Sequence, residues 1–435
     1  MTADGSKLKE FAARFDLVLA AQMPETTAVQ LDNAVRKSSG PERQVSPHGA
    51  SSPSPHVIFL RSIGFLGYLR IGGRAELEVV EAHPMFAGDD LRLAAPFAAL
   101  RDFVAESTVH PDDSMLHGHV PFPLILLEAV AKWREAHGGA SPTSKDRAAF
   151  KQLVLEACRD QKTEENYAEA VRNVHKVWQP VALPSSSRAV LDDERAKTVR
   201  PTMSDFWLLA HGVARFMATE SESEGQPPLL GSIPDMTATS EFYVALQTIY
   251  RRKHQEDVAA VARHVAAALA SIGQPADRIP LDAVRKFCKN IGNVRAVHLR
   301  SLEEETKTDV KRAEVERLLA GGDKNIVFYL MLRAADRFAS ERARMPGTFD
   351  ESDFGTLRAI AQQLLGEYES KATEVLDDPA QEFCRWAGAE LHNTSAVLGG
   401  IASQEAIKLL TSQFVPVCNT VIVNGIDCSS SAYEL

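Results

Sequence analysis

Cysteine, uninterrupted apolar sequence and net positive charge are all scarce in this chain of 435 residues. The five cysteines, Cys158, Cys288, Cys384, Cys418 and Cys428, are too few and too scattered for the disulfide framework of a secreted domain. That usage favours a reducing compartment. No stretch approaches the roughly 18 apolar residues that a membrane-spanning helix needs, and the first ten residues lack the apolar core of a secretory signal. The expected location is the cytoplasm, with the nucleus second. A formal net charge of −10, with Lys and Arg interspersed among Asp and Glu, disfavours a nucleic-acid partner. Charge runs such as Glu303-Glu304-Glu305 read as solvated helix faces. A glycine-rich phosphate cradle of the form G-x-G-x-x-G after a strand is also lacking. Gly64-Phe65-Leu66-Gly67 lies between two strand-like runs and reads as a turn. No internal repeat of solenoid period is visible.

What is present is the pattern of an α/β protein, long enough for two or more domains. Strand signals fall at the two ends. Leu17-Val18-Leu19 and Val57-Ile58-Phe59-Leu60 are short apolar runs of the kind buried in a sheet, with further candidates over Leu66–Ile71, Leu77–Val80 and Thr420–Val423. Between about Asp89 and Arg385 the apolar residues keep helical spacing. Leu124, Leu127, Val130 and Trp133 share one face of a helix that ends at Gly138-Gly139, a left-handed cap. Thr143 with Asp146 three residues on starts another, and Tyr167, Val171, Val174 and Trp178 mark a third. Phe242, Leu246 and Ile249 are read as one helix, and Val258, Val261, Val265, Leu269 and Ile272 as the next. These stripes are core faces rather than a cofactor box.

The end of the chain is the most specific segment. Gly399-Gly400-Ile401-Ala402-Ser403-Gln404-Glu405-Ala406-Ile407-Lys408-Leu409-Leu410, followed by the strand Thr420–Val423, resembles the closing helix of the adenylation fold of ubiquitin-like-protein-activating enzymes. More narrowly, it resembles the regulatory, non-catalytic subunit of the heterodimeric neddylation-activating enzyme. The similarity is collinear from about residue 11 to Leu435. It runs through Phe15–Thr27, Ile63–Ile71, Gly231-Ser232-Ile233-Pro234-Asp235-Met236, Arg300-Ser301-Leu302-Glu303-Glu304 and Leu330–Phe338. The resemblance implies a ThiF-type, Rossmann-like adenylation sheet, truncated at its start and interrupted by a large all-helical insertion. It places the first part of that domain at 1–105, the insertion at 106–384 and the closing part at 385–435. Two departures stand out. The chain opens at what would be the middle of the family's sheet, and it inserts a Pro-, Ser- and Gly-rich loop over 40–56.

The family's function is ATP-dependent activation of a Nedd-type ubiquitin-like modifier. The resemblance implies that a catalytic partner subunit supplies ATP, magnesium, zinc and the thioester cysteine. Active members of the superfamily carry a magnesium-binding Asp just beyond the strand matching Leu17–Leu19, and Met23 stands there in this chain. A thioether is a poor ligand for a hard cation. None of the five cysteines matches the superfamily's catalytic motif, although Arg159 beside Cys158 would favour a thiolate. His117-Gly118-His119 offers two imidazoles without a third ligand at metal-binding spacing and reads as a polar loop, and His392 reads as a capping or packing residue. The expectation is therefore no catalytic, cofactor-binding or metal-binding residue in this chain. Partner contacts are expected at Ile63, Tyr68, Gly399, Gly400 and Gln404, the glycines serving close backbone approach. Three alternatives stay open: a partner-independent helical scaffold of the same descent, an enzyme using other residues, and a gene product truncated at its start.

Overall fold

The computed structural model describes residues 5–435 apart from 13, 38–54, 84–88, 181, 221–224, 307–310, 349–351 and 371–372. Most of the inserted loop over 40–56 thus lies outside the described residues. The strands are β1 (Leu17–Ala21), β2 (His56–Ile63), β3 (Leu66–Gly72), β4 (Glu76–Val79), β5 (Arg295–His298), β6 (Thr420–Asn424) and β7 (Ser429–Tyr433). The chain divides into two compact units, one made of 1–82 with 295–435, the other of 83–294.

The first unit is built on a sheet in the order β1-β2-β3-β6-β7. β1 and β2 are parallel, joined through the helix Glu25–Lys37, with Leu17 opposite His56. β2, β3, β6 and β7 follow antiparallel, with Ile63 opposite Leu66 and Leu69 opposite Val421. β2 and β3 are apolar because both faces of this sheet are covered. Val57, Phe59, Ile63, Leu66 and Tyr68 turn to one face and join a core with Ile326, Met331, Phe338, Leu357, Leu364 and Phe383. Ile58, Leu69, Ile71 and Val421 turn to the other and pack with Leu398, Ala402 and Leu409 of the closing helix, His392–Thr411. The β2–β3 turn passes through Gly64 at φ +53°, where an added Cβ would lie 2.1 Å from the Trp386 ring. Glycine is required there on both counts.

Two expectations change. Residues 295–384, read as part of the helical insertion, belong to the sheet unit: helices Lys324–Arg342, Asp353–Glu367 and Asp377–Trp386 supply the layer under its first face. Helical periodicity reports that one face is apolar and is silent about which surface covers it. Strands are also not confined to apolar runs. β5, Arg-Ala-Val-His, pairs with β4, and β7, Ser-Ser-Ser-Ala-Tyr, completes the sheet beside β6. β7 exists because the outer edge of β6 needs backbone partners, and Tyr433 ties it down by donating from its hydroxyl to Asp323 Oδ1 at 2.8 Å.

The second unit is helical around Leu100, Phe122, Leu124, Trp133, Phe150, Tyr167, Leu246 and Tyr250. Its punctuation follows the sequence closely. Gly138 and Gly139 adopt φ of +63° and +90° after the helix Phe122–Ala136, and Thr143 with Asp146 forms a reciprocal capping box. The two stripes around Leu246 and Val261 lie on one helix of 32 residues, Ser240–Ser271, capped by Thr239. No glycine or proline interrupts it, so nothing breaks the backbone hydrogen-bond ladder.

Candidate functional site

The turn after β1 is where an adenylation fold would hold nucleotide and metal. Gln22 pins it: its side-chain amide donates to Ser62 O at 2.8 Å while its Oε1 accepts from Ser62 N at 3.2 Å. Met23 packs half-buried on the core. The carboxylate nearest to it in sequence, Glu25, lies 3.7 Å from Arg333 Nε, and burial pushes the Glu25 carboxyl above its usual range. Beyond it sits a box of charges under the sheet. Arg61 pairs with Asp336. Glu305 accepts from Tyr329 Oη at 2.8 Å and meets Arg70, whose side chain is 0% exposed, as an ion pair at 2.5 Å. Arg333 donates to Tyr368 Oη at 2.7 Å and to the Thr306 carbonyl at 3.1 Å. Burial raises the Asp336 carboxyl as it does that of Glu25. The cavity between Met23, Glu25, Arg61, Glu305, Arg333 and Asp336 holds about 40 Å³. That suits a water or two, whereas ligand pockets run to roughly 300 Å³ or more. The carboxylates here are turned to guanidinium groups rather than to an open site, an arrangement that fixes structure.

The other candidate surface is the outward face of the closing helix. Its inner face is anchored by Leu398, Ala402 and Leu409 and by Glu405, which is 3% exposed and accepts from Val417 N at 2.9 Å. Its outer face carries Gly399, Gly400 and Gln404, all exposed, flanked by Val397, Ile407 and Leu410 at 53%, 54% and 55% exposure. A Cβ added at Gly399 or Gly400 would meet nothing within 4 Å. The glycine pair is therefore not explained by packing inside this chain.

The chain aligns with the NEDD8-activating enzyme E1 regulatory subunit of Xenopus laevis at 37% identity over 435 residues, spanning 98% of this chain and 78% of that protein. A second alignment spans 98% of this chain and 78% of the Danio rerio regulatory subunit at 35% identity, and a third spans 98% and 76% with the Arabidopsis thaliana regulatory subunit AXR1 at 33%. The chain belongs to the NEDD8-activating enzyme E1 regulatory subunit family. No family model matches it.

In this family member the five residues expected at a partner interface fall into two sets. Ile63 and Tyr68 are interior, at 3% and 8% exposure, with the Tyr68 ring stacked on Tyr329. Gly399, Gly400 and Gln404 are on the surface. Burial disfavours the thiolate at four of the five cysteines. Burial, then the hydrogen bond to Glu164, pushes the Cys158 thiol up to about 11, so Arg159 does not activate it; that guanidinium donates instead to the carbonyls of Pro111 and Asp112. Burial pushes Cys288 up to about 12 and Cys384 to about 11, and raises Cys418, whose thiol donates to His298 O. Cys428 is exposed. His392 opens the closing helix on the surface. The residues that periodicity missed are the buried charges. Glu305 of the acidic run is 7% exposed rather than solvated, because it shares a helix face with buried Leu302 and meets Arg70. The one available signal was a lone arginine in the apolar strand Leu-Gly-Tyr-Leu-Arg-Ile.

Proposed function

We propose that this chain is the regulatory half of a two-chain NEDD8-activating enzyme, supporting ATP-dependent activation of NEDD8 by a catalytic partner. The observation that carries this reading is family membership along 98% of the chain. Two features of the site support a division of labour in which this subunit does no chemistry of its own. Met23 and the guanidinium-bound Glu25 offer no free carboxylate for magnesium, and the thiols with raised pKa values hold little thiolate near neutrality. ATP, magnesium, zinc and the acceptor cysteine are then the partner's. The five free thiols suit the reducing cytoplasm or nucleus. The partner would dock on Gly399, Gly400 and Gln404 with their apolar flank, where glycine lets a second backbone come close. Obligate interfaces of this kind often bury more than about 2,000 Å².

The chain alone is expected to show no ATP–pyrophosphate exchange above background. Exchange and NEDD8 thioester should both appear when the catalytic subunit is added. Exchange by this chain alone, abolished by a substitution within it, would sink the non-catalytic reading. Failure to pair with the catalytic subunit would favour a partner-independent scaffold.

Serine at all five cysteine positions is expected to leave thioester formation by the two-chain enzyme intact. Burial of Cys288 makes a stability loss of about 1–3 kcal/mol the main side effect, so folding is followed by circular dichroism. A folded variant that forms no thioester, with the loss traced to one cysteine, would restore a covalent role for it.

A further inference from the structure

In the helical unit two histidines converge. His110 Nδ1 lies 3.4 Å from His117 Nε2, and Tyr167 Oη lies 3.3 Å from the first and 3.1 Å from the second. Each ring gives its other nitrogen to a carboxylate. His117 Nδ1 is 2.6 Å from Glu164 Oε1, and His110 Nε2 is 2.7 Å from Glu128 Oε2. His117 Nδ1 holds its ring proton against Glu164, which leaves the Nε2 lone pair facing His110. His110 Nε2 meets both the Glu128 carboxylate at 2.7 Å and Lys132 Nζ at 3.2 Å, so each tautomer of that ring has a partner there. With the His110 proton on the Glu128 side, two imidazole nitrogens and a phenol oxygen stand 3.1–3.4 Å from one another. Glu164 is 6% exposed and Glu128 26%, with Lys132 Nζ 3.1 Å from Glu128. His119 of the His-Gly-His segment is turned away, donating from Nδ1 to Met115 O at 2.7 Å.

A tetrahedral zinc ion about 2.0–2.1 Å from each donor spaces its ligands roughly 3.3 Å apart, which matches all three edges of this triangle. Histidine backed by carboxylate is also the usual outer support of a metal ligand. No group of three His, Cys, Asp or Glu among the described residues could by itself hold a metal ion; the third donor here is a phenol. We propose that His110 Nδ1, His117 Nε2 and Tyr167 Oη form a binding site for a zinc-class divalent cation, with water as the fourth ligand through the side on which His110 is 31% exposed. The ion accepts three protein lone pairs, and the Tyr167 hydroxyl proton leaves to solvent. Because binding releases that proton, affinity increases with pH.

The test uses the full chain purified metal-free, without the catalytic partner, whose own zinc would confuse the count. Zinc titrated by calorimetry in two buffers of different ionisation enthalpy should bind at one equivalent with release of one proton. Cobalt should give the intense visible bands of a tetrahedral site. His110→Ala, at a partly exposed position that should not disturb folding, is expected to lower affinity at least tenfold. Tyr167→Phe should lower it and abolish proton release, while His119→Ala should bind as the parent does. A folded parent chain that binds no stoichiometric zinc, with His110 and His117 sharing a proton instead, overturns the proposal. So does zinc binding that His110→Ala leaves unchanged.

Discussion

Arg70→Met with Glu305 left in place is expected to cost about 3–5 kcal/mol of unfolding free energy, the range for breaking a buried ion pair from one side. Arg70 is 0% exposed and Glu305 side chain 3%, and the two meet at 2.5 Å off hydrogen-bond alignment. The guanidinium also donates to Thr420 Oγ1 at 2.7 Å and to the Arg300 carbonyl at 3.0 Å. Removing it strands a carboxylate in the core, while the Arg300 carbonyl keeps Arg36 and the Thr420 hydroxyl keeps Asn419 Oδ1. The pair joins β3 to the short helix Leu302–Thr306 and, through Thr420, to β6. Urea denaturation should therefore show a lower midpoint for the sheet unit. The double variant Arg70→Met, Glu305→Leu should recover much of the loss, because the cost lies in the orphaned charge rather than in the missing attraction. A single variant that loses less than about 1 kcal/mol would mean that water reaches Glu305 and that the box is not dry.

Gly400→Leu should act with opposite signs on the free chain and on the assembled enzyme. In the free chain an added Cβ meets nothing within 4 Å, and leucine favours the helix over glycine by about 0.8 kcal/mol. The melting temperature should hold or rise. If the exposed Gly399-Gly400 face receives a second backbone, the same side chain overpacks the contact by about 1–3 kcal/mol, a weakening of about 5- to 150-fold in pairing. Ser403→Ala is the control, since its hydroxyl donates to the Gly399 carbonyl of its own helix at 2.8 Å. Affinity for the catalytic subunit, measured by calorimetry or light scattering, separates the cases. Normal pairing by a stable Gly400→Leu chain would remove the closing helix from the interface.

Some of this was legible in the chain itself. Short apolar runs fall where β1, β2, β3 and β6 form; β2, β3 and β6 need continuous hydrophobicity because both their faces are covered, whereas β1 at the sheet edge leaves Leu19 exposed. Gly138-Gly139 and Thr143 with Asp146 end and begin helices where their backbone and side-chain chemistry requires it. The Gly399–Leu410 string and the collinear matches before it carried the family, since they are statements about residue identity along the chain.

Contacts between distant residues were decided only by the tertiary structure. Local period could not say that Lys324–Arg342 lies under the sheet, because an apolar stripe packs equally well on a helix or on a strand face. Nor could it find Glu305 buried against Arg70, a pair separated by 235 positions, when an acidic run on its own is most stable in water. β7 took its place from the hydrogen-bonding demand of β6 rather than from its own serines. His110 reached His117 and Tyr167 because the helical core, not the spacing His-Gly-His, brought those rings to one point.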